Sequence, residues 1–256
     1  MDLGFKGKVA LVTGAGSQIG FGKEISLLLA KEGCDAVAVS DINLDDAKLT
    51  TEAVKALGCK SIAVKADVTN KAEVQAMVEK VIAEYGKIDI LLNVAGGVLG
   101  GGPFEEQNEE IWDQNIALNL KGTMFVSQAV IPHMKKQNYG VIVNISSGST
   151  HQYGPPHGVG MYAISKAGVD TFTKQLATVE AGSGIRVNCV APGPSPTNFI
   201  KAPDKQAVVD MLAKKEIPMG RGATQADIAN AAVFFASDIS GYITGQVLHV
   251  SGGSVM

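Results

Sequence analysis

Cysteine is scarce in this 256-residue chain: Cys34, Cys59 and Cys189 are odd in number and widely separated. Without a CxxC pair they form neither a disulfide framework nor a zinc site, and they read as reduced apolar side chains of a cytoplasmic protein. Histidine is equally thin; His151 and His157 lie six apart with no carboxylate partner, so no metal is expected. Aromatic residues make up only 5% of the chain, so the core must be aliphatic. No block of Lys or Arg occurs, and 22 basic against 25 acidic residues leave a net charge of −3. That balance argues against a phosphate-backbone partner, and no nucleic acid is expected. No apolar run reaches the ~18 residues of a membrane helix, and the first eight residues lack the order of a secretory signal. The expectation is a cytoplasmic protein with no membrane partner.

Hydrophobic residues at 46% and charged residues at 18% exclude a disordered chain. Glycine is abundant, 30 of 256 residues, where ~7% is usual. The glycines cluster at 14–22, 96–102, 154–160, 182–193 and 241–253, mostly just after apolar runs, where backbone turns sharply or approaches a ligand.

Short β-branched runs at 9–12, 36–40, 61–64, 88–92, 141–146 and 186–190 have strand length and composition, and 246–250 adds a seventh. Between them, 20–32, 44–57, 71–85, 109–134, 161–178 and 225–237 carry helical apolar spacing. Strands apolar on both faces and separated by helices predict one α/β domain over 1–256: a doubly wound (Rossmann) parallel sheet of about seven strands, helices on both faces. The irregular 191–222 stretch reads as an excursion, with a lid at about 194–222 and a helical pattern over 205–216. In such sheets ligands sit beyond the carboxyl ends of the strands.

The first strand runs into Thr13-Gly14-Ala15-Gly16-Ser17-Gln18-Ile19-Gly20 and then a helix. Glycines there allow a tight turn, and amides of the helix start can receive a pyrophosphate; a plain strand-to-helix turn is the alternative. Asp41 ends the second strand 21 residues after Gly20. It is placed to accept hydrogen bonds from adenosine ribose hydroxyls and to repel a 2′-phosphate, which favours NAD over NADP; a solvated loop carboxylate or helix cap is the bland alternative. Asp67 and Val68 follow the third strand, where a carboxylate would meet adenine's amino group. Asn93-Val94-Ala95-Gly96 follows the fourth, with small residues that admit a flat ring or sugar. Turn formation is the competing role for Asp and Asn at both places.

In the second half, Tyr162 and Lys166 stand four residues apart in a helical stretch, one turn apart on one face. A free phenol, with pKa ≈ 10, is a poor proton carrier at neutral pH. A cation nearby favours the phenolate and is expected to lower that value. Ser147, just past the fifth strand, can polarise a carbonyl oxygen. Asn119 lies in a helix that it does not favour, which suggests that it bonds a backbone carbonyl, a water, or both.

The glycine loop at 13–20, Asn93-Val94-Ala95-Gly96, Asn119, Ser147, Tyr162-x-x-x-Lys166 and Pro192-Gly193 occur in one order from about residue 7 to 253. The set resembles the short-chain dehydrogenase/reductase family. The resemblance implies that Tyr162 exchanges a proton with substrate oxygen, that Lys166 lowers its pKa and hydrogen-bonds the nicotinamide ribose, that Ser147 positions the substrate oxygen, and that Asn119 holds a water of the proton relay. It places a dinucleotide against Gly14, Ser17, Gln18, Ile19, Gly20, Asp41, Asp67, Val68, Asn93, Ala95 and Gly96, and then against Tyr162, Lys166, Pro192, Gly193 and Thr197, with Thr197 bonding the nicotinamide carboxamide. A homotetramer is implied as well.

The chain departs from the family pattern at Gln18, which replaces a loop glycine, and in a longer gap between Ser147 and Tyr162. That gap leaves Ser149 as an alternative positioning hydroxyl and makes 151–157 a candidate substrate wall. Ser251 stands where the family often has Asp. The expected activity is NAD-dependent interconversion of a small-molecule secondary alcohol and ketone. An NADPH-dependent 3-oxoacyl reductase is disfavoured by Asp41, and a non-catalytic nucleotide-binding subunit by the four filled catalytic positions. Substrate identity falls to 97–104, 149–160 and 198–219.

Overall fold

The computed structural model describes residues 2–100, 103–151 and 160–255, with the side chain of residue 151 left out. Seven strands form one parallel sheet: β1 (Val9–Thr13), β2 (Ala36–Asp41), β3 (Lys60–Lys65), β4 (Ile90–Asn93), β5 (Gly140–Ile145), β6 (Ile185–Pro192) and β7 (Val247–Val250). Their order is β3-β2-β1-β4-β5-β6-β7. The order reverses at β1, which pairs with β2 on one side and β4 on the other. Thr13 is level with both Ser40 and Asn93, and Asn93 with Asn144, so the carboxyl ends open onto one crevice.

Period-two alternation splits the core into two layers. Val12, Val37, Val39, Leu92 and Val143 pack under α1 (Phe21–Lys31), α2 (Leu44–Lys55) and the late helix α8 (Gln225–Ala236). Leu11, Ala38, Leu91 and Ile142 face the other way, onto α3 (Lys71–Tyr85), α5 (Gly122–Gln137) and α6 (Met161–Glu180). The doubly wound sheet with helices on both faces is the architecture expected. Side chains cap most of the helix starts: Asn43 accepts from Asp45 and Asp46 amides, Asn70 from Ala72 and Glu73, and Thr224 forms a capping box with Asp227.

Two expected elements differ. The fourth strand begins at Ile90, not 88, because Asp89 is turned inward to accept the Val9 N–H at 2.8 Å. The single helix expected over 109–134 is three pieces: α4 (Glu109–Ile116), a π-helical turn (Ala117–Lys121) and α5. The widened turn centres on Asn119, whose side chain takes the Asn115 carbonyl at 3.1 Å. The excursion after β6 carries α7 (Lys205–Glu216), as its pattern predicted. No helix among the described residues is long and apolar enough to cross a membrane, and the three cysteines are buried free thiols.

Candidate active site

The turn after β1 is pressed against the turn after β4. Gly14 adopts φ +63°, and a Cβ there would lie 2.6 Å from Ala95 Cα, so both conformation and contact require glycine. Thr13, which the sequence reading did not single out, stitches the two turns. Its hydroxyl oxygen accepts the Val94 and Ala95 amides at 3.1 and 3.3 Å. Adjacency to Gly14 was the available signal.

A cavity of about 410 Å³ runs along these turns. Gly14, Ser17, Gly20, Asp41, Asp67, Val68, Ala95 and Gly96, all expected against the dinucleotide, line it. Asp41 Oδ2 accepts the Gly16 amide at 2.8 Å and Oδ1 the Asn43 amide at 3.0 Å. A carboxylate offers about four lone-pair sites, so roughly half of its accepting capacity is left beyond these two bonds. Asp67 lines the cavity and closes a turn onto the Thr69 amide and hydroxyl, each at 2.8 Å, so the turn role expected for it is filled.

Three residues expected against the dinucleotide are not among those lining either cavity. Asn93 is 3% exposed, and its amide donates to Ser127 Oγ at 3.1 Å and Asn144 Oδ1 at 2.9 Å. Strand alternation turns it into the α5/α6 layer rather than the crevice. Gln18 reaches sideways, with Nε2 on the Gly16 carbonyl at 2.6 Å and Thr50 Oγ1 at 3.3 Å and Oε1 accepting from Lys23 at 2.7 Å. The side chain that replaces a loop glycine therefore braces the loop against α1 and α2. Ile19 is exposed, and its carbonyl accepts from Gln225 at 3.2 Å.

An adjoining cavity of about 270 Å³ holds the chemical groups: Ser147, Ser149, Tyr162 and Lys166, with Pro192, Gly193 and Thr197 across from them. Tyr162 is half-buried in the first turn of α6, and the Ser147 hydroxyl hydrogen-bonds its phenol oxygen. Ser149 donates to Ser147 through its amide at 3.2 Å and its hydroxyl at 2.9 Å. Of the two alternatives, Ser147 therefore meets the phenol and Ser149 backs it. Phe199, on the excursion after β6, meets the Tyr162 ring edge-on with centroids 5.5 Å apart. Its neighbour Asn198 donates to Ser17 Oγ at 3.1 Å, which draws this strap over the cleft. Phe199 was missed in the sequence beyond its place in the lid; a lone aromatic in a polar loop was the signal.

The electrostatics correct one expectation. Burial pushes the Tyr162 phenol up to about 12, and only the Ser147 bond opposes it. Lys166, 2% exposed, donates to the Ile145 carbonyl at 2.8 Å rather than to the phenol. Burial draws its own pKa down to about 8. In this cleft, desolvation of each group outweighs the ammonium's pull on the phenol.

Asn119 is fully buried beside the site. Its Oδ1 accepts the Gly97 amide at 2.9 Å, and Nδ2 donates to the Gly97 carbonyl at 2.9 Å and to Asn115. Both amide protons are spent on backbone, so the side chain clasps the loop after β4. A Cβ on Gly96 would lie 2.8 Å from Asn119 Oδ1 and 3.0 Å from Lys166 Nζ, which shows how closely loop, clasp and lysine pack. The suggested wall at 151–157 falls almost wholly outside the described residues. Among the described residues no group of three His, Cys, Asp or Glu side chains is arranged to hold a metal.

The groove's chemistry fits a nicotinamide dinucleotide. A glycine turn opens α1, a carboxylate with spare acceptors lies at one end, and a hydroxyl pair with a buried lysine lies at the other. Residues 14–254 match the family described as Enoyl-(Acyl carrier protein) reductase. The chain is 41% identical over 254 residues to a 3-oxoacyl-[acyl-carrier-protein] reductase of Thermotoga maritima, covering 98% of this chain and 99% of the relative. A short-chain type dehydrogenase/reductase from Mycobacterium marinum superposes with a TM-score of 0.91 at 30% identity, covering 99% and 97% of the two chains. A 7α-hydroxysteroid dehydrogenase complexed with NADH and 7-oxo glycochenodeoxycholic acid superposes with a TM-score of 0.90 at 35% identity, covering 99% and 96%.

Proposed function

Because the chain belongs to the short-chain dehydrogenase/reductase family, oxidoreductases acting on CH–OH groups with a nicotinamide cofactor, we propose that it is an NAD-dependent enzyme interconverting a secondary alcohol and a ketone. The observation that carries this reading is the Ser147–Tyr162 hydroxyl pair in the same cavity wall as Lys166. When bound, the cofactor takes or supplies the hydride. The remaining work falls to the chain's own side chains. In the oxidative direction the Tyr162 oxygen accepts the proton of the substrate hydroxyl; in the reductive direction it returns one to the carbonyl oxygen. Ser147 has one hydroxyl proton to give: it donates to the Tyr162 oxygen until substrate binds and to the substrate oxygen once that is bound. Lys166 places a positive charge against the developing phenolate in a water-poor pocket, where charge interactions are strong. Asn119 keeps the loop after β4 at the height that seats Lys166.

Asp41 supports NAD over NADP: its carboxylate lines the groove, and beside an adenosine ribose a 2′-phosphate would bring like charge against it. The second reading, an NADPH-dependent 3-oxoacyl reductase, is favoured by the name of the Thermotoga relative and by Lys201 in the groove lining. Exposed Ile164 and Val179 on α6 and Met124 on α5 suit the homotetramer that the family resemblance implies. The buried free thiols suit a reducing cytoplasm.

The test is steady-state turnover of a panel of secondary alcohols with NAD and NADP, alongside a 3-oxoacyl thioester with NADH and NADPH. Alcohol oxidation with NAD, abolished in Tyr162→Phe while NAD still binds, is the expected result. Full activity of that variant sinks the mechanism, and turnover confined to the thioester with NADPH selects the second reading.

A further inference from the structure

α6 carries Tyr162, Lys166 and Asp170 at successive four-residue steps, which puts all three on one stripe of the helix. The mechanism above uses the first two. Asp170 is 7% exposed and makes no ion pair among the described residues. Its Oδ1 lies 3.6 Å from Cys189 Sγ on β6, within reach of a weak S–H donor. Lys174, one turn further on, is exposed. On the inner side the neighbouring cation is Lys166, whose ammonium is bonded, among the described residues, to a neutral carbonyl alone, that of Ile145. A buried carboxylate and a buried ammonium one helical turn apart each relieve the other's desolvation.

We infer that Asp170 is the buried countercharge of Lys166, a positioning residue that keeps the lysine cationic beside Tyr162. The inference rests on the reading of Lys166 as part of the proton-transfer group. Among the described residues the ionisable groups around Lys166 are few. Tyr162 and Asp170 share its helix, and Cys189 approaches from β6. The acidic residues of α4, Glu109, Glu110 and Asp113, are exposed, as is Lys121 of the π turn. The described side chains of the turn at 147–150 bring only hydroxyls. Burial pushes the Cys189 thiol up to about 12, so at working pH it is a neutral donor to Asp170. Among the described residues that leaves Asp170 as the one carboxylate beside the lysine, and the buried Cys189–Asp170 pair acts against the burial that pulls Lys166 down.

Two measurements test this. In Asp170→Asn the alkaline fall of kcat/KM for alcohol oxidation moves about one pH unit lower, roughly a tenfold loss of cationic lysine above that point, while the rate at pH 6 stays near wild type. A structural lesion would instead depress every pH alike and leave the limb in place, which overturns the proposal. The second readout needs no turnover: urea unfolding of wild type, Lys166→Met, Asp170→Asn and the double variant at pH 7. Asp170→Asn is expected to lower the folding equilibrium constant at least tenfold more when Lys166 is present than when it is introduced into the Lys166→Met background; equal effects in the two backgrounds overturn the inference. If Asp170→Asn alone does not fold, rescue of folding by Lys166→Met supports the countercharge, and failure of both refutes it. Coupling in unfolding without turnover of any alcohol would leave Asp170's role standing and remove only the functional reading.

Discussion

Replacing Gly96 with alanine is a local test of how tightly the candidate site is held. No positive φ is needed at Gly96, so the added methyl meets only a packing penalty. It would arrive 2.8 Å from Asn119 Oδ1 and 3.0 Å from Lys166 Nζ, where ordinary contact begins at 3.4 Å. The neighbours must therefore yield by about 0.5 Å. Neither is free to swing: Asn119 is held by Gly97 and Asn115, and Lys166 by the Ile145 carbonyl. Overpacking of this kind costs roughly 1–3 kcal/mol. A displacement of 1 Å near the chemistry costs ~10²-fold in rate, so half of that is worth about tenfold. Gly97→Ala is the internal control, because its methyl meets only Leu118 Cδ2 at 3.6 Å and should stay within about 0.5 kcal/mol of wild type. Urea unfolding followed by the fluorescence of the single tryptophan, Trp112, reports stability, and kcat with NAD reports the site. Indistinguishable stability and kcat for the two variants would refute the close packing of loop, clasp and lysine.

At the other end of the groove, Asp41→Ser should raise KM for NAD about tenfold, by loss of charge-assisted bonds to the ribose, and narrow the preference for NAD over NADP; an unchanged ratio would remove Asp41 from cofactor choice. The pH dependence has a defined sign. The Tyr162 phenol is held above its usual value by burial, so the phenolate fraction grows with pH. Oxidation kcat/KM should therefore climb from pH 6 until Lys166 begins to lose its proton near 8. Ser147→Ala removes the one hydroxyl proton that favours the phenolate or, with substrate bound, holds the substrate oxygen, and should lower the rising limb at every pH by ~10²-fold or more; an unaltered limb would place Ser147 outside the reaction.

Much of this was readable because the decisive residues sit where local rules apply. Aliphatic runs such as those ending at Thr13 and Asp41 can only be buried parallel strands, and glycines just past them mark the crevice. What failed depended on orientation and burial, which a linear pattern does not carry. Asn93 looked like Asp41, a polar residue at a strand end, yet alternation turns one into the helix layer and the other toward solvent. Tyr162 and Lys166 were found by spacing, but the direction of the phenol's shift follows from desolvation, which only the packed cleft reveals. Gln18 stood out as a substitution; its bracing role emerged only with α2 alongside it. The break between α4 and α5 left one trace, an asparagine in a helical stretch.

That break has a consequence for the chain's tolerance to length changes. An α-helix advances about 100° per residue, and a π turn accommodates one residue beyond that regular count. Deleting a single position between 117 and 121 would let the two helices fuse into a straight rod, better bonded along its axis. The fused rod would also carry the Asn119 carboxamide about a quarter turn away from Gly97, so a more regular backbone would come with a loosened floor beneath the lysine.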